Sequence, residues 1–261
     1  MRLPFQTLNR LRYDRIIWVL FLLITLGILL SSVARKKNSF ADGVEVKVVP
    51  LKDGEKLISE YDVRQALLSA FGNTLEGTEL GRLDVERMER VLEEDPFVRD
   101  AQTYVDQHNI LHLEVEQREP LLRVLDNKGG NYYLDQGGNK MPPSKNFAAR
   151  VVVATGNIAA YTPKFREKKR SSLNDVFQVA QELAEDDFFR VFVQQIHVNS
   201  DGEIVLVPLV GDQKIILGDA KKLDEKLERL KIFYREGMPY AGWQTYQSIN
   251  LSYADQVVCK R

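Results

Sequence analysis

The sequence predicts an α+β protein: a single N-terminal transmembrane helix, a small β-α-α-β-β domain, and a second α+β domain with a mainly antiparallel sheet ending on a C-terminal strand. Three observations predict it. Residues 16–34 carry no charge. Beyond them apolar residues recur now at period two and now at period 3.6, which marks strands and helices in turn. Those segments run strand, helix, helix, strand, strand as far as residue 117, and follow a different order afterwards.

Composition sets the outer bounds. Of 261 residues, 44% are hydrophobic and 28% charged, too many charges for a polytopic membrane protein. Lys and Arg (36) nearly match Asp and Glu (37), with no basic stripe outside the flanks of the apolar run, so no nucleic-acid partner is expected. Cys259 is the single cysteine, which excludes an intrachain disulfide and a cysteine-rich zinc site. The folded part must hold together by an apolar core.

Ile16 to Ala34 reads IIWVLFLLITLGILLSSVA. Its 19 residues cover roughly 28 Å as a helix, close to the hydrocarbon thickness of a bilayer. Ile16, Trp18, Phe21, Leu30 and Ala34 sample the expected span. Arg10, Arg12 and Arg15 precede it and Arg35, Lys36 and Lys37 follow. Ser32-Val33-Ala34 has the small-x-small form of a cleavage site, but the apolar run is long and basic residues follow directly, so an uncleaved anchor is expected. The tail of residues 1–15, with four arginines, should stay in the cytoplasm and the remainder should lie outside.

Residues 35–43 read as a linker. Val44 to Val49 alternates as a strand. Ser59 and Asp62 resemble a capping box, followed by Val63, Ala66, Leu67, Ala70 and Phe71 on one helical face and stopped at Gly72. Asp84 caps a second helix with Val85, Met88, Val91 and Leu92 inward, ended by Pro96. Val98–Asp106 and Ile110–Gln117 form two strands joined at Gln107-His108-Asn109. This first domain spans 44–120.

The second domain, 121–261, opens with a hairpin in Tyr132–Pro142, turning at Gly137-Gly138. Arg150–Ala154 is a strand ending at Gly156. Leu173–Asp187 is an amphipathic helix, capped by Ser172 or Asn174, with Val176, Phe177, Ala180, Leu183 and Ala184 inward. Phe192–Val198 and Ile204–Val210 form a hairpin, with Pro208 at an edge or bulge, and Lys214–Leu217 adds a strand. Asp219 caps a last helix carrying Leu223, Leu227, Leu230 and Tyr234, closed by Gly237. Ser248–Cys259 is the terminal strand, with Cys259 as a small buried hydrophobe on its apolar face.

Little in the chain points to catalysis, a cofactor or a small-molecule substrate. His108 sits in a turn and His112 on a strand, without the one-face spacing of a helical zinc site, and His197 stands apart. Gly72, Gly77 and Gly81 lack phosphate-loop spacing. Glu93, Glu94 and Asp95 are a solvated helix end, and Lys168, Lys169 and Arg170 a solvent-facing basic cluster.

Asp95-Pro96-Phe97-Val98-Arg99-Asp100-Ala101 and Val115-Glu116-Gln117-Arg118-Glu119-Pro120, in this element order, resemble the POTRA module. Outer-membrane assembly factors also carry POTRA modules, and such a factor is the alternative. Further phrases run on to the C-terminus: Tyr133-Leu134-Asp135 with Gly138 and Pro142, Arg150 to Gly156, Arg229-Leu230 with Phe233-Tyr234, and Ile249 to Val258. With one anchor before them, they resemble the bacterial cell-division family FtsQ/DivIB. That resemblance implies a non-enzymatic divisome scaffold, single-pass in the inner membrane at the septum. It implies that the scaffold binds FtsB and FtsL and couples to the septal peptidoglycan synthesis complex. It also implies that the partner adds a strand to the terminal strand, with Ser252, Tyr253, Ala254, Asp255 and Gln256 as contacts. Ser252 stands where the family commonly has Arg, so no contact of that arginine carries over.

Overall fold

The computed structural model of the chain describes residues 17–28, 31, 36, 39–168 and 170–261. Of the expected span, Ile16, Leu30 and Ala34 lie outside the described residues, as do the tail 1–15 and Lys169 of the basic cluster. Trp18 and Phe21 lie on a helical stretch, 17–28, whose large apolar side chains are exposed on every side, Trp18 at 72% and Phe21 at 59%. Among the described residues no helix is long and apolar enough to cross a membrane. The remainder divides into two compact units. One holds the described residues up to Lys47 with Glu60–Glu94 and Asp100–Val115; the other holds Val48–Ser59, Asp95–Arg99 and Glu116–Arg261.

The smaller unit rests on a three-stranded sheet of β1 (Gly43–Val49), β2 (Val98–Val105) and β3 (Ile110–Gln117), in the order β1-β3-β2. Its helices are α1 (Glu60–Phe71) and α2 (Val85–Glu93). Val63 and Leu67 are the buried residues of α1, Met88 and Leu92 those of α2, and Leu111 and Leu113 are buried on the central strand. That is the expected helical stripe against an alternating strand. Gly72, at φ +74°, ends α1 by donating its N–H to Leu68 O at 2.8 Å. Asp84 caps α2 by accepting from the Arg87 N–H at 3.0 Å. Asp106 closes the β2–β3 turn, its Oδ1 accepting from the backbone of His108 and Ile110 at 2.8 and 2.9 Å.

In the larger unit the strands are β4 (Pro120–Asp126), β5 (Asn131–Asp135), β6 (Lys140–Met141), β7 (Val152–Gly156), β8 (Val193–Val198), β9 (Ile204–Pro208), β10 (Lys214–Gly218), β11 (Ser248–Asn250) and β12 (Val258–Lys260). They form one nine-stranded sheet in the order β12-β11-β10-β9-β8-β7-β4-β5-β6. Adjacent helices are α3 (Ser172–Glu185), α4 (Asp187–Phe192) and α5 (Leu223–Ile232), which continues through a π turn at Phe233–Gly237 into α6 (Met238–Ala241). β4, β7 and β8 run parallel, as do β10 and β11, while the other neighbours are antiparallel. The sheet is therefore mixed, with five antiparallel pairs of neighbours and three parallel ones. Helical crossovers join β7 to β8 and β10 to β11, and a crossover returns the chain to its starting end, which makes neighbours parallel.

Leu122, Val124, Tyr132, Ile196, Leu206 and Ile249 from the strands bury against Val176, Phe177, Leu183, Leu227, Leu230 and Tyr234 from the helices. Tyr133 points to the other face by strand alternation and packs with Leu51, Leu57 and Met141. Pro208 lies opposite Val193, where the β8–β9 register shifts, so its missing N–H falls at an irregularity of the ladder and β9 stops there, short of Val210.

Several expected boundaries move for local reasons. The 173–187 helix breaks at Asp186, whose carboxylate caps α4 by accepting from Phe188 N and Phe189 N at 2.8 and 3.3 Å. Phe192 therefore ends a helix instead of starting a strand. Neither Ser172 nor Asn174 caps α3: Ser171 occupies that position without a side-chain bond, and the Ser172 hydroxyl accepts from Ala159 N and donates to Asn157 O. Asp219 does not cap α5 either. Lys222, in the left-handed region at φ 51°, precedes that helix, and Asp219 Oδ1 accepts from Lys226 Nζ at 2.8 Å. Gly237 does not close the last helix, because the π turn carries it on to Ala241, where Gly242 at φ +91° ends it.

Candidate partner-binding site

β11 ends at Asn250; the Leu251 N–H still donates to Ile216 O at 2.8 Å, and the Asn250 side chain takes over the donor after it. Its Oδ1 accepts from the Ser252 N–H at 2.9 Å and from the Ser252 hydroxyl at 2.6 Å, a local turn that competes with ladder pairing. Asp255 then adopts φ 58°, a conformation no strand tolerates. The chain reverses, and Val258–Lys260 returns antiparallel along β11, pairing Val258 with Asn250, Cys259 with Ile249 and Lys260 with Ser248. The expected single strand over 248–259 is thus two short strands joined by a turn.

Ser252, Tyr253, Ala254, Asp255 and Gln256 are gathered on that turn, all exposed and none on a strand. Tyr253 is 54% exposed, and its backbone carbonyl accepts from Arg229 Nη1 of α5 at 3.1 Å, which ties the turn to the helix. Ser252 lies over Gly218, where an added Cβ would stand 3.0 Å from its own. Asp201, Glu203 and Asp219 line the same shallow hollow as Ser252, so this corner is acidic.

Beyond the turn stands β12, the outermost strand of the sheet. Its inner edge pairs with β11, and no strand of the chain's described residues lies on its outer edge. An outer edge of this kind leaves backbone donors and acceptors open to an added strand. Val258 and Lys260 are exposed and Cys259 is half-buried against the core. Burial pushes the Cys259 thiol up from its ordinary range. Tyr234 anchors the helix behind this edge: its hydroxyl accepts from Gln213 Nε2 at 2.7 Å, and burial pushes its pKa up to about 12.

The expected contacts at 252–256 lie beside this open edge, whose residues Val258 and Cys259 alternation alone puts in one strand with Ser248–Asn250. The usable signal was Asn250 two residues before Ser252 and the Asp at 255, both turn formers inside an apparently continuous strand.

His112 and His197 make local contacts. His112 lies between Asp106 and Glu45, at 3.3 and 3.4 Å, and stacks on Tyr104 in the smaller unit. His197 meets the Thr155 hydroxyl at 2.9 Å. Among the described residues no group of His, Cys, Asp and Glu could hold a metal ion.

Two family models match this architecture. A POTRA-like domain model covers residues 40–116, and a model described as FtsQ/DivIB, C-terminal related, covers residues 119–260. The chain belongs to the FtsQ/DivIB family. No curated protein matches it. Membership joins a POTRA-like domain to the mixed sheet that ends on β11 and β12, and places the chain among cell-division scaffolds associated with the membrane at the division site.

Proposed function

We propose that the chain is a non-enzymatic scaffold of the bacterial divisome that binds the FtsB/FtsL pair outside the inner membrane. It thereby links early division proteins to septal peptidoglycan synthesis. Residues 16–34 hold it in the bilayer, with 1–15 in the cytoplasm, 35–43 as linker, and a POTRA-like domain at 44–120 and a β domain at 121–261 in the periplasm. The fully exposed apolar surface of helix 17–28 supports the anchor, since a helix apolar all round needs an apolar surrounding.

The open outer edge of β12 carries the partner assignment. A partner segment adding there would gain main-chain hydrogen bonds from the outward N–H and C=O of Cys259 and side-chain contacts from the turn at 252–256. The test removes the open donor of the edge. Lys260 O accepts from Gln247 N at 2.8 Å, so Lys260 and, by alternation, Val258 face β11, while Cys259 presents its N–H and C=O outward. Cys259→Pro takes that donor away; with folding checked by cooperative unfolding, titration with the partner's soluble FtsB-like segment should show a loss of about tenfold or more in affinity. Undiminished binding by the folded variant would rule the edge out.

A further inference from the structure

A second concave surface of the larger unit lies away from the β12 edge. Its floor is Leu121 at the start of β4, Ala180 and Leu183 on α3, Phe189 on α4 and Val193 at the start of β8, all buried. The cleft encloses about 510 Å³, within the size range of ligand sites. Lys52, Glu119, Gln136, Arg150 and Arg190 stand at its mouth.

The charges at that mouth are unevenly occupied. Glu119 accepts from the Lys52 backbone N–H at 2.8 Å and lies 3.8 Å from the Lys52 ammonium. Arg190 pairs with Asp187 one turn away at 2.8 Å. Asp53, also on the rim, accepts from the Glu55 N–H. The Arg150 guanidinium has no hydrogen bond or ion pair among the described residues. A guanidinium is a fork of donors suited to a carboxylate, and here it lines the cleft together with the half-buried apolar side chains of Ala149, Val151, Val152 and Ala184.

We propose that this cleft is a second protein-binding site, which takes an extended peptide segment bearing a carboxylate next to an apolar side chain. The apolar side chain enters between α3 and α4, and the carboxylate meets Arg150. A scaffold with two such sites holds two partners at once. This site does not depend on the β12 assignment, because none of its lining residues lies on β10, β11, β12 or the 252–256 turn.

The full chain in lipid nanodiscs is titrated with N-terminally fluorescein-labelled, C-terminally amidated pentapeptides Gly-Leu-Glu-Phe-Gly, Gly-Leu-Gln-Phe-Gly and Gly-Leu-Lys-Phe-Gly, with anisotropy as the readout. The Glu peptide should bind about tenfold or more tighter than the other two, as expected for one charge-assisted pair. Arg150→Gln, at an exposed position, should erase the preference. Ala184→Trp, which fills the cleft from the α3 wall, should block the Glu peptide. Cys259→Pro should leave its binding unchanged, which separates this site from the edge strand. Equal affinities for the three peptides, no binding by any, or an Arg150→Gln variant that keeps the preference would overturn the proposal. Decanoate that binds more tightly than the Glu peptide and displaces it would overturn the assignment to a peptide partner.

Discussion

Two residues of the larger unit show how side-chain chemistry fixes the surroundings of the edge. Lys226 is only 6% exposed, yet its ammonium donates to Leu217 O, Asp219 O and Asp219 Oδ1 at 2.8–3.0 Å. It clasps the end of β10 to α5. Lys226→Met leaves buried acceptors without their donor and should cost about 2–4 kcal/mol in urea unfolding; a loss under about 0.5 kcal/mol would mean water replaces the ammonium. Tyr253 is an exposed aromatic on a turn held by Arg229, a low-entropy contact surface of the kind that dominates interfaces. Tyr253→Ala should leave the melting temperature unchanged and weaken capture of the FtsB-like segment by about tenfold. Equal capture would remove the tyrosine from the interface. In the smaller unit Asp106 gives a pH signature. The Ile110 N–H, then His112 and the His108 N–H, hold its carboxyl down to about 2 from an ordinary 3.8. A folded value below the unfolded one means stabilisation that is complete above the ordinary carboxylate range and is lost as pH falls through about 2. Wild type should therefore lose more stability than Asp106→Asn on acidification across that window, measured as urea midpoints. Parallel curves would contradict the bonding seen at this turn.

The elements of the smaller unit followed from periodicity, because each is local: one stripe per helix, one alternation per strand, a glycine at the end of α1 and an aspartate cap at the start of α2. Leu67 and Leu92 sit at the centre of those stripes, 1% and 2% exposed. Truncating either to Ala should cost about 2–5 kcal/mol, and a loss below about 0.5 kcal/mol for both would put the helix faces elsewhere. The larger unit was legible only in part, and the failures share a cause. β4 begins at Pro120 itself and packs Leu121, Leu122 and Val124 into the core, so it shows no clean alternation and merges with the end of the first domain. Its parallel pairing with β7 depends on the β5–β6 hairpin between them, and no pattern within either strand encodes it. At the C-terminus the reverse happened. Ile249, Leu251, Val257 and Cys259 keep an apolar period of two straight across a turn, so alternation alone read one strand where Asn250 and Asp255 impose two. The candidate contacts were legible as a neighbourhood. The edge that would pair with a partner was not, because an edge is defined by the neighbour a strand lacks.

At the scale of the whole molecule, the proposed function requires the two units and the β12 edge to lie on one side of a bilayer and residues 1–15 on the other. The sequence carries this requirement through charge. Four arginines lie in the first 15 residues, and none of the 19 residues from Ile16 to Ala34 is charged. Basic residues near a span are retained on the cytoplasmic side, and a short basic tail is easier to retain than a long folded region. Arg35, Lys36 and Lys37 oppose that orientation, so the arginine tail and the length of the folded region must together outweigh them. The expected result is that a reporter active only in the cytoplasm is silent when fused after Arg261, and that intact mass shows a chain retaining residues 1–34. Replacing Arg10, Arg12 and Arg15 with Gln should then raise the fraction of molecules with an active C-terminal reporter, since the charges at 35–37 would dominate. A reporter active in the unmodified fusion would place the β12 edge in the cytoplasm and exclude a periplasmic FtsB/FtsL partner. A mature chain beginning at Arg35 would leave the binding edge intact but remove the anchor that confines it to the membrane.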